Sequence, residues 1–555
     1  MFKKILIANR GEIACRIITT ARRMGIACVA VYSDADRHTP FVATADEAIR
    51  IGPAPAAQSY LSIEAIVAAC RASGADAVHP GYGFLSESAA FAEALAAAGI
   101  AFIGPNVRAL RVMGDKIAAK ELARNAGVSI LPGHAGAPAD AAQANSIADS
   151  IGYPVLLKPI AGGGGKGMRI VRGRDEMANA FARAQSEVKT AFGDDRLLIE
   201  KFIASARHIE VQILGDTFGH RIHLGERECS IQRRHQKIVQ ESPSPFVGEA
   251  MRTAMTRQAL ALAEAVDYES AGTVEFLVDP ATRQFYFLEM NTRLQVEHPV
   301  TECVTGLDLV EQMIRVAAGE ELSFSRSDVS FNGWAIETRL YAEDTSRGFL
   351  PSSGRLVTFR LPQKARPDTT LRCDMGVEEG SEVSTFYDPM LGKLATHAAD
   401  RETARLAQAD ALDQFIIDGV GNNVMFLAAL MRHPKFIEGD LSTDFIERNF
   451  AGGFVSTAPA GGERERLAAV AAFIDAKDRS RRLPTFEAER CVLLDGEALQ
   501  AIVTADQDRM RVSFPGSQTS YRLESDWQPG QKLWAGRIDG EPAFIQVRRL
   551  ANRIL

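Results

Sequence analysis

The fold is decided by the stretch Glu289-Met290-Asn291-Thr292-Arg293-Leu294-Gln295-Val296-Glu297-His298-Pro299. It follows the apolar run Phe285-Tyr286-Phe287-Leu288, which predicts a β-strand. If the extended conformation continues, alternate side chains share one face of the sheet. The polar side chains at these alternate positions are Glu289, Asn291, Arg293 and Gln295. Acid, amide and guanidinium groups on one face indicate a metal-assisted phosphoryl site.

A second β-branched run, Gly272–Val278, precedes this stretch and predicts the other strand of a hairpin. A hairpin folded about Thr282 would place Glu275 opposite Glu289, with β-carbons about 5 Å apart. Two carboxylates at that distance repel each other, and a divalent cation between them removes the conflict. Oxygen ligands, with Asn291 beside them, favour Mg²⁺ or Mn²⁺ over zinc. The alternative is a solvated sheet edge with scattered charges.

A glycine run, residues 161–168, follows the predicted strand Pro154–Lys158. Main-chain N–H groups in such a loop approach phosphate oxygens without obstruction by a β-carbon. Lys158 and Lys166 flank the run and add positive charge. The loop lacks the Ser or Thr that follows Gly-Lys in a Walker A loop. The glycine run therefore predicts a phosphate-binding loop of another kind, and a flexible surface linker is the alternative.

The polar segment Glu226–Lys237 carries a cluster of basic side chains at its C-terminal end. By itself this pattern is also typical of a solvated surface. Beside an acidic hairpin that holds a cation, however, basic side chains complete the charge arrangement needed to transfer a γ-phosphoryl group.

Composition limits the possible classes of protein. A length of 555 residues predicts about three or four domains. The net charge of −7 and the absence of a long basic block argue against a nucleic-acid partner. Seven scattered cysteines without CxxC spacing argue against a zinc site or disulfide framework. With no signal peptide and no membrane-spanning run, we expect a soluble cytoplasmic protein, in the bacterial cytosol or the mitochondrial matrix.

Alternating strands and helices predict the domain organisation. The first region repeats a strand-turn-helix pattern, which is typical of a parallel α/β domain. The last region combines an amphipathic helix with short strands and turn signals, but it has few strands with which to close a barrel, so we expect a truncated tail. The predicted regions are residues 1–115 (N-terminal α/β), 116–330 (nucleotide-binding, with a lid at about 130–205), 331–450 (C-terminal α+β), 451–463 (linker) and 464–555 (tail).

Five motifs in order resemble biotin carboxylase: Ile7–Ala14, His79–Glu87, Gly162–Met168, Gln232–Lys237 and Glu289–Pro299. The resemblance covers about residues 1–450 and implies an ATP-grasp fold, in which a mobile lid carries the glycine loop. Residues 464–555 resemble the subunit-linking (BT-like) domain of acyl-CoA carboxylase α subunits. This implies a hetero-oligomer in which the tail docks a carboxyltransferase β subunit.

The resemblance also implies roles for individual residues. The residues that would contact ATP are Lys116, Lys158, Gly162, Gly163, Gly164, Gly165, Lys166, Gly167, Glu200, Lys201, His208, Gln232, His235, Glu275 and Glu289. Divalent cations would be held by Glu275, Glu289 and Asn291. Bicarbonate would be gripped by Lys237, Arg293, Gln295 and the main chain of Val296, with Glu297 as the base, whose pKa should suit that task. Arg339 would stabilise the enolate-like form of biotin, with Tyr82 nearby.

The implied reaction forms carboxyphosphate from ATP and bicarbonate, and then carboxylates biotin on a carrier domain. The only lysines after residue 450, Lys477 and Lys532, do not adjoin methionine. We therefore expect biotin to be attached outside this chain. The segments Phe192–Ile203 and Thr301–Ala317 favour propionyl-CoA carboxylase α subunits; 3-methylcrotonyl-CoA and acetyl-CoA carboxylases are alternatives. More remote alternatives are another ATP-grasp ligase, which forms an acyl-phosphate, and a catalytically silent nucleotide-binding scaffold.

Overall fold

A parallel five-stranded sheet in the order β3-β2-β1-β4-β5 forms the N-terminal region. The computed structural model describes residues 1–134, 136–160, 167–454, 459–479, 485–494, 496–506, 509–550 and 553–554. The N-terminal elements are β1 Lys4–Ile7, α1 Gly11–Arg23, β2 Ala27–Ser33, α2 Pro40–Thr44, β3 Glu47–Gly52, α3 Ile63–Ser73, β4 Ala77–His79, α4 Ala89–Ala97, β5 Ala101–Phe102 and α5 Val107–Gly114. The predicted strand-turn-helix pattern is confirmed. Of the five strands, only β3 has no counterpart in the prediction, because it is largely exposed and lacks an apolar run.

A small antiparallel sheet in the order β7-β6-β8 lies within the predicted lid. The elements around it are α6 Lys116–Asn125, α7 Ala141–Ile151, β6 Val155–Pro159, β7 Arg169–Val171, α8 Met177–Phe192 and β8 Leu197–Lys201. Helices α7 and α8 cover this sheet and form a separate apolar core with Val155, Leu157 and Ile199. The lid therefore has its own core. Of the predicted glycine loop, Gly162 to Lys166 lie outside the described residues, and Gly167 has a φ of +75°.

An eight-stranded sheet, in the order β13-β12-β9-β10-β11-β14-β21-β19, joins the central and C-terminal regions. The elements of the central region are β9 Arg207–Gly215, β10 Arg221–Arg233, β11 Gln236–Ser242, α9 Glu249–Ala265, β12 Ser270–Val278, β13 Phe285–Asn291, α10 His298–Thr305 and α11 Leu309–Ala317. The predicted hairpin is β12–β13, and Glu275 pairs with Glu289 in its register. A bulge beyond Glu275 shifts the register by one residue towards the turn.

The C-terminal region completes this sheet and packs helices on it. Its elements are β14 Trp334–Tyr341, β15 Glu343–Asp344, β16 Leu350–Pro351, β17 Gly354–Arg355, β18 Thr358–Arg360, β19 Thr370–Met375, β20 Glu382–Val383, β21 Met390–Ala398, α12 Arg401–Gln414, β22 Ile416–Asp418, α13 Val424–Met431, α14 Pro434–Ile437 and α15 Phe445–Asn449. Its apolar core includes Leu340, Leu394 and Phe426.

The tail is one helix packed on a six-stranded antiparallel sheet. It consists of α16 Gly461–Arg479, β23 Thr485–Leu494, β24 Glu497–Asp506, β25 Arg509–Phe514, β26 Thr519–Glu524, β27 Leu533–Ile538, β28 Glu541–Gln546, β29 Arg549–Leu550 and β30 Arg553–Ile554. Phe473 of the helix meets Trp534 of the sheet edge to face. Lys532 ties the tail to the C-terminal region through Asp418, at 2.9 Å.

Among the described residues, none of the helices combines the length and the apolar character needed to cross a bilayer.

Candidate active site

Two opposed carboxylates lie on the hairpin β12–β13. Glu275 is buried and accepts hydrogen bonds from Lys237 Nζ (2.8 Å) and Asn291 Nδ2 (2.8 Å), and its Oε2 lies 2.9 Å from His208 Nε2. Burial opposes ionisation, but Lys237 and His208 outweigh it and lower the pKa of Glu275. Glu275 is therefore an ionised, well-held carboxylate.

Glu289 is the freer of the two acids. It retains contact with solvent, although protein atoms crowd its carboxylate. Loss of hydration among the surrounding protein atoms and the negative charge of Glu275 raise the pKa of Glu289. The mutual repulsion expected from the sequence is thus present in the structure. A divalent cation between these two carboxylates would relieve it, and carboxylate oxygens are ligands that fit such an ion. The third predicted ligand, Asn291 Oδ1, accepts a hydrogen bond from Arg293 Nη2, which a cation would have to displace.

The strand ends at Asn291, so the predicted continuation of alternate residues along one face is wrong beyond this point. Arg293 nevertheless reaches both neighbours in the predicted set. Its Nη2 donates to Asn291 Oδ1 at 2.9 Å, and its Nη1 donates to Gln295 Oε1 at 3.1 Å. The polar groups come together through side-chain hydrogen bonds instead of strand periodicity.

Lys237 lies at the centre of the site. Its Nζ donates to Glu210 Oε2 (2.5 Å), Glu275 Oε1 (2.8 Å) and Glu297 Oε1 (2.7 Å). Burial opposes the positive charge, but these three carboxylates hold the pKa of Lys237 well above its ordinary value. One ammonium group therefore connects the acidic hairpin to the predicted base.

Glu297 is buried and fully paired. Its Oε1 accepts from Lys237, and its Oε2 accepts from Arg339 Nη2 at 2.8 Å. Burial opposes ionisation, yet these cations hold the pKa of Glu297 well below its ordinary value. The expectation that its pKa suits a general base is not met in this arrangement, because both charge partners are already in place.

Gln295 offers a free donor next to this pair. Its side chain is buried, and its Nε2 has no hydrogen-bond partner among the described residues. An unpaired buried amide donor is costly, so an acceptor is expected at this position. A small anion such as bicarbonate supplies one.

Two of the predicted phosphate-binding lysines, Lys116 and Lys158, lie on α6 and β6. Lys158 is surrounded by protein, and burial lowers its pKa despite the nearby carboxylates of Glu289 and Glu275. Lys116 donates to the carbonyl oxygen of Pro159 at 3.2 Å. Burial also lowers the pKa of Lys116, and the charge of Lys158 adds to this effect. Two lysines that repel each other favour a polyanion between them.

Other predicted ATP contacts fall on β8 of the lid, on β9 and β10 of the eight-stranded sheet, and in the turn between β10 and β11. Glu200 is buried and contacts Lys120, while the ammonium of Lys201 donates to the carbonyl oxygen of Gly152 at 2.8 Å. Gln232 Nε2 lies 2.9 Å from His208 Nδ1. His235 has a φ of +67°, and burial lowers its pKa. The ammonium of Lys201 is thus engaged by the protein.

Tyr82 follows β4 of the N-terminal region and lies near the C-terminal region. Lys393 Nζ is 5.9 Å from the centroid of its ring. Its hydroxyl is buried and has no hydrogen-bond partner among the described residues. The predicted biotin contacts, Tyr82 and Arg339, are therefore on elements that meet Lys393.

Sequence reasoning missed three residues that organise this site. Glu210 pairs with both Lys237 and Arg227, whose Nε is 2.5 Å from Glu210 Oε1. Glu87 accepts from Arg293 Nε at 2.9 Å. A signal for Glu210 exists in β9, where His208, Glu210 and Gln212 occupy alternate positions of a fully buried strand. Arg227 and Glu87 lie within the quoted segments Glu226–Lys237 and His79–Glu87, but nothing in those segments indicates that they pair with Glu210 and Arg293.

Four protein families match successive parts of the chain. They are "Biotin carboxylase, N-terminal domain" over residues 1–110, "Carbamoyl-phosphate synthase L chain, ATP binding domain" over residues 115–325, "Biotin carboxylase C-terminal domain" over residues 337–448 and "Propionyl-coenzyme A carboxylase BT domain" over residues 467–554.

Similar proteins cover most of the chain. The propionyl-CoA carboxylase alpha chain of Ruegeria pomeroyi is 52% identical, over 100% of this chain and 85% of that protein. A mitochondrial methylcrotonoyl-CoA carboxylase subunit alpha of Glycine max is 52% identical, over 80% of this chain and 60% of that protein.

Solved structures agree with the sequence relatives. The biotin carboxylase–βγ-ATP complex of Campylobacter jejuni has a TM-score of 0.78 and 46% identity, over 81% of this chain and 99% of that one. The 2-oxoglutarate carboxylase biotin carboxylase domain of Hydrogenobacter thermophilus, in complex with MgADP, ADP and bicarbonate, has a TM-score of 0.77 and 43% identity, over 81% of this chain and 98% of that one. The chain therefore belongs to the biotin carboxylase family of ATP-dependent ligases, and within it to the acyl-CoA carboxylase alpha chains that carry a propionyl-coenzyme A carboxylase BT domain.

Proposed function

We propose that this chain uses ATP and bicarbonate to carboxylate biotin attached to a carrier, as the alpha subunit of an acyl-CoA carboxylase. The observation that carries the proposal is the position of Lys237. Its ammonium contacts Glu275 on the acidic hairpin and Glu297 beside Arg339. A phosphate-activating site and an anion-binding site therefore share one cation, as a reaction between ATP and a small anion requires.

The first step joins bicarbonate to the γ-phosphoryl group of ATP. An oxygen of bicarbonate attacks phosphorus and the bond to ADP breaks, which gives carboxyphosphate and ADP. Lys237, Arg293, Gln295 and the Val296 main chain would hold bicarbonate, and Glu297 would accept its proton. When bicarbonate takes Lys237 as a ligand, Glu297 loses part of the positive charge that lowers its pKa, and it becomes a better base.

The second step transfers the carboxyl group to biotin. Carboxyphosphate breaks into CO₂ and phosphate, and the phosphate takes the ureido proton of biotin. The deprotonated nitrogen then forms a bond to CO₂. Arg339 would stabilise the negative charge on the ureido oxygen, and Tyr82 would lie near the biotin ring. The guanidinium of Arg339 is already fixed by its hydrogen bond to Glu297 Oε2.

The acidic hairpin would hold Mg²⁺ or Mn²⁺ through Glu275, Glu289 and Asn291. When bound, such an ion neutralises charge on the ATP phosphates. The described glycine, Gly167, and the lysines Lys116 and Lys158 would contact the phosphates from the lid side. The other residues of the predicted glycine loop, 162–166, would also contact the phosphates.

The substrate and partners are also part of the proposal. We favour propionyl-CoA as the acyl-CoA, supported by the BT domain match and by the alpha chain from Ruegeria pomeroyi. The soybean relative supports 3-methylcrotonyl-CoA as the alternative. The tail would dock a carboxyltransferase beta subunit, and a biotin carboxyl carrier domain or protein would present biotin. Relatives from a bacterium and from mitochondria support the bacterial cytosol or the mitochondrial matrix as the compartment.

The proposal is tested with the purified chain. We expect ATP hydrolysis that requires bicarbonate and rises on addition of free biotin. Intact ATP binding without stimulation by biotin would favour another ligase, which forms an acyl-phosphate. Co-purification with candidate beta subunits, followed by assays with acetyl-, propionyl- and 3-methylcrotonyl-CoA, then tests the partner and the substrate.

A further inference from the structure

A buried lysine connects the predicted bicarbonate loop to the N-terminal helix. Lys393 lies in β21, is 1% exposed, and donates from Nζ to the carbonyl oxygen of Val296 at 2.9 Å. The same ammonium lies 3.2 Å from Glu12 Oε1 in the first turn of α1. One side chain of the C-terminal region thus contacts both the N-terminal region and the loop that precedes α10.

Lys393 and Arg339 act on consecutive residues of this loop. The two are direct partners across β21 and β14. Directly opposed residues place their side chains on the same face of a sheet. On that face Lys393 holds the main-chain carbonyl of Val296, and Arg339 holds the carboxylate of Glu297. The sheet therefore fixes both the backbone and the side chain of the loop.

The loop carbonyls are occupied by donors from the protein. The carbonyl oxygen of Gln295 lies 2.7 Å from His298 Nδ1, which must donate because a carbonyl only accepts. Burial and then the charge of Lys393 hold the pKa of His298 well below its ordinary value. The carbonyl of Val296 is occupied by Lys393. Carbonyl oxygens repel an anion, whereas the unpaired Nε2 of Gln295 attracts one.

Glu12 is held in place by close packing and is coupled to Lys393. A β-carbon at Gly376 would lie 2.5 Å from the main-chain nitrogen of Glu12, so the turn after β19 packs directly on the start of α1. Burial raises the pKa of Glu12 to about 7, and Lys393 is the strongest influence against that rise. The position of the Lys393 ammonium is therefore set from two sides.

We propose that Lys393, held by Glu12, is a positioning residue that fixes the peptide group of Val296 so that residues 295–297 present donors to bicarbonate. This inference rests on the proposed function and adds to it. In this role Lys393 does not contact the reacting atoms. It keeps an anion-repelling carbonyl turned towards its own ammonium group.

A purely structural ion pair would behave differently. Loss of a buried ion pair that only stabilises the fold lowers the melting temperature and affects both substrates alike. Loss of a positioning contact changes the geometry at one substrate, and small misplacements there cost up to about 10²-fold in rate. The ratio between the KM for bicarbonate and the KM for ATP therefore separates the two roles.

The experiment measures both KM values in the full chain, with free biotin as acceptor, for Lys393→Met, Lys393→Arg and Glu12→Gln. We expect Lys393→Met to raise the KM for bicarbonate about tenfold or more and the KM for ATP less than about twofold. Lys393→Arg keeps a cationic donor and should recover most of the loss. Glu12→Gln should raise the KM for bicarbonate in the same direction by a smaller factor. Lys532→Met is the control, because it removes a tail lysine that pairs with Asp418 of β22, away from residues 295–297.

The result that would overturn the inference is an equal change in both KM values, or a lower melting temperature with both KM values unchanged. If Lys393→Met does not fold, Glu12→Gln decides, and an unaltered bicarbonate KM in that variant rejects the role. The unmodified chain is assayed first. If ATP hydrolysis by the unmodified chain does not depend on bicarbonate, the proposed function itself is overturned. If the unmodified chain depends on bicarbonate and the variants have the same bicarbonate KM, only the role of Lys393 is overturned.

Discussion

Arg339 Nη2 lies 2.8 Å from Glu297 Oε2, so the guanidinium assigned to biotin and the carboxylate assigned to proton removal are a single buried ion pair. This ion pair connects the residues proposed for the two steps of the reaction. A change in the charge of Glu297 therefore changes the electrostatic environment of Arg339, the residue that is expected to stabilise biotin.

Replacement of the predicted base tests this link. Glu297→Gln keeps the shape of the side chain but removes its ability to accept a proton. We expect ATP affinity to stay nearly unchanged and bicarbonate-dependent ADP formation to fall by roughly 10²-fold or more. Nucleotide titration and steady-state turnover measure the two effects. An equal loss of ATP affinity would instead indicate misfolding or a role in holding the cation.

The acidic hairpin gives a prediction with opposite signs for its two acids. In metal-free protein, Glu289→Gln removes a like charge beside Glu275 and should leave the melting temperature unchanged or higher. Glu275→Gln disturbs contacts with Lys237, His208 and Asn291, so it should lower the melting temperature. Both variants should weaken the binding of Mg²⁺ in the presence of ATP.

Melting curves in EDTA and titrations with Mg²⁺ check these expectations. A lower melting temperature for Glu289→Gln in EDTA would show that Glu289 is held by a favourable contact and is not repelled. Unchanged Mg²⁺ binding in both variants would remove the cation site from the proposal.

The hairpin could be predicted from sequence because it is local. The symmetry of the turn about Thr282 fixes the pair Glu275 and Glu289, and the structure has this register. The bulge beyond Glu275 and the end of the strand at Asn291 could not be predicted. Polar residues continue to alternate along the sequence after Asn291, although the backbone is no longer a strand there.

The rest of the site depends on contacts between distant parts of the chain. Lys393 is 97 residues from Val296, and Glu87 is 206 residues from Arg293. Strand order decides such contacts, and no periodicity within one segment reports it. The resemblance to biotin carboxylase predicted the residues expected to touch substrates. The residues that hold those residues in place became visible only in three dimensions.

Glu87 should tune the predicted bicarbonate contact. Its Oε2 accepts from Arg293 Nε at 2.9 Å, and its Oε1 accepts from the main-chain nitrogen of Thr292 at 3.1 Å. Because Glu87 is partly exposed, Glu87→Gln should raise the KM for bicarbonate only about two- to fivefold. The KM for ATP should not change. Glu93→Gln, which breaks a surface pair with Arg111, is the control. An unaltered bicarbonate KM would mean that Arg293 keeps its position without Glu87.

Glu337 should make folding stability depend on pH. It is buried in β14, its Oε2 has no hydrogen-bond partner among the described residues, and burial raises its pKa to about 8 although Lys393 and Arg339 lower it. Between the ordinary pKa near 4.5 and this value, the folded state keeps a proton that the unfolded state releases. The contribution of Glu337 to stability is therefore fully present below pH 4.5 and is lost as the pH rises towards 8, by up to about 1.4 kcal/mol per pH unit.

Glu337→Gln removes this titration while keeping the size of the side chain. We expect the melting temperature of the variant, relative to the unmodified chain, to rise as the pH is increased from 6 to 8. Glu64→Gln, at an exposed position of α3, is the control and should show a constant difference. A constant difference for Glu337→Gln as well would mean that Glu337 is ionised and paired with Arg339 or Lys393 throughout this range. In that case Glu337 would place a negative charge on the face of the sheet that holds residues 295–297, and bicarbonate would bind more weakly there.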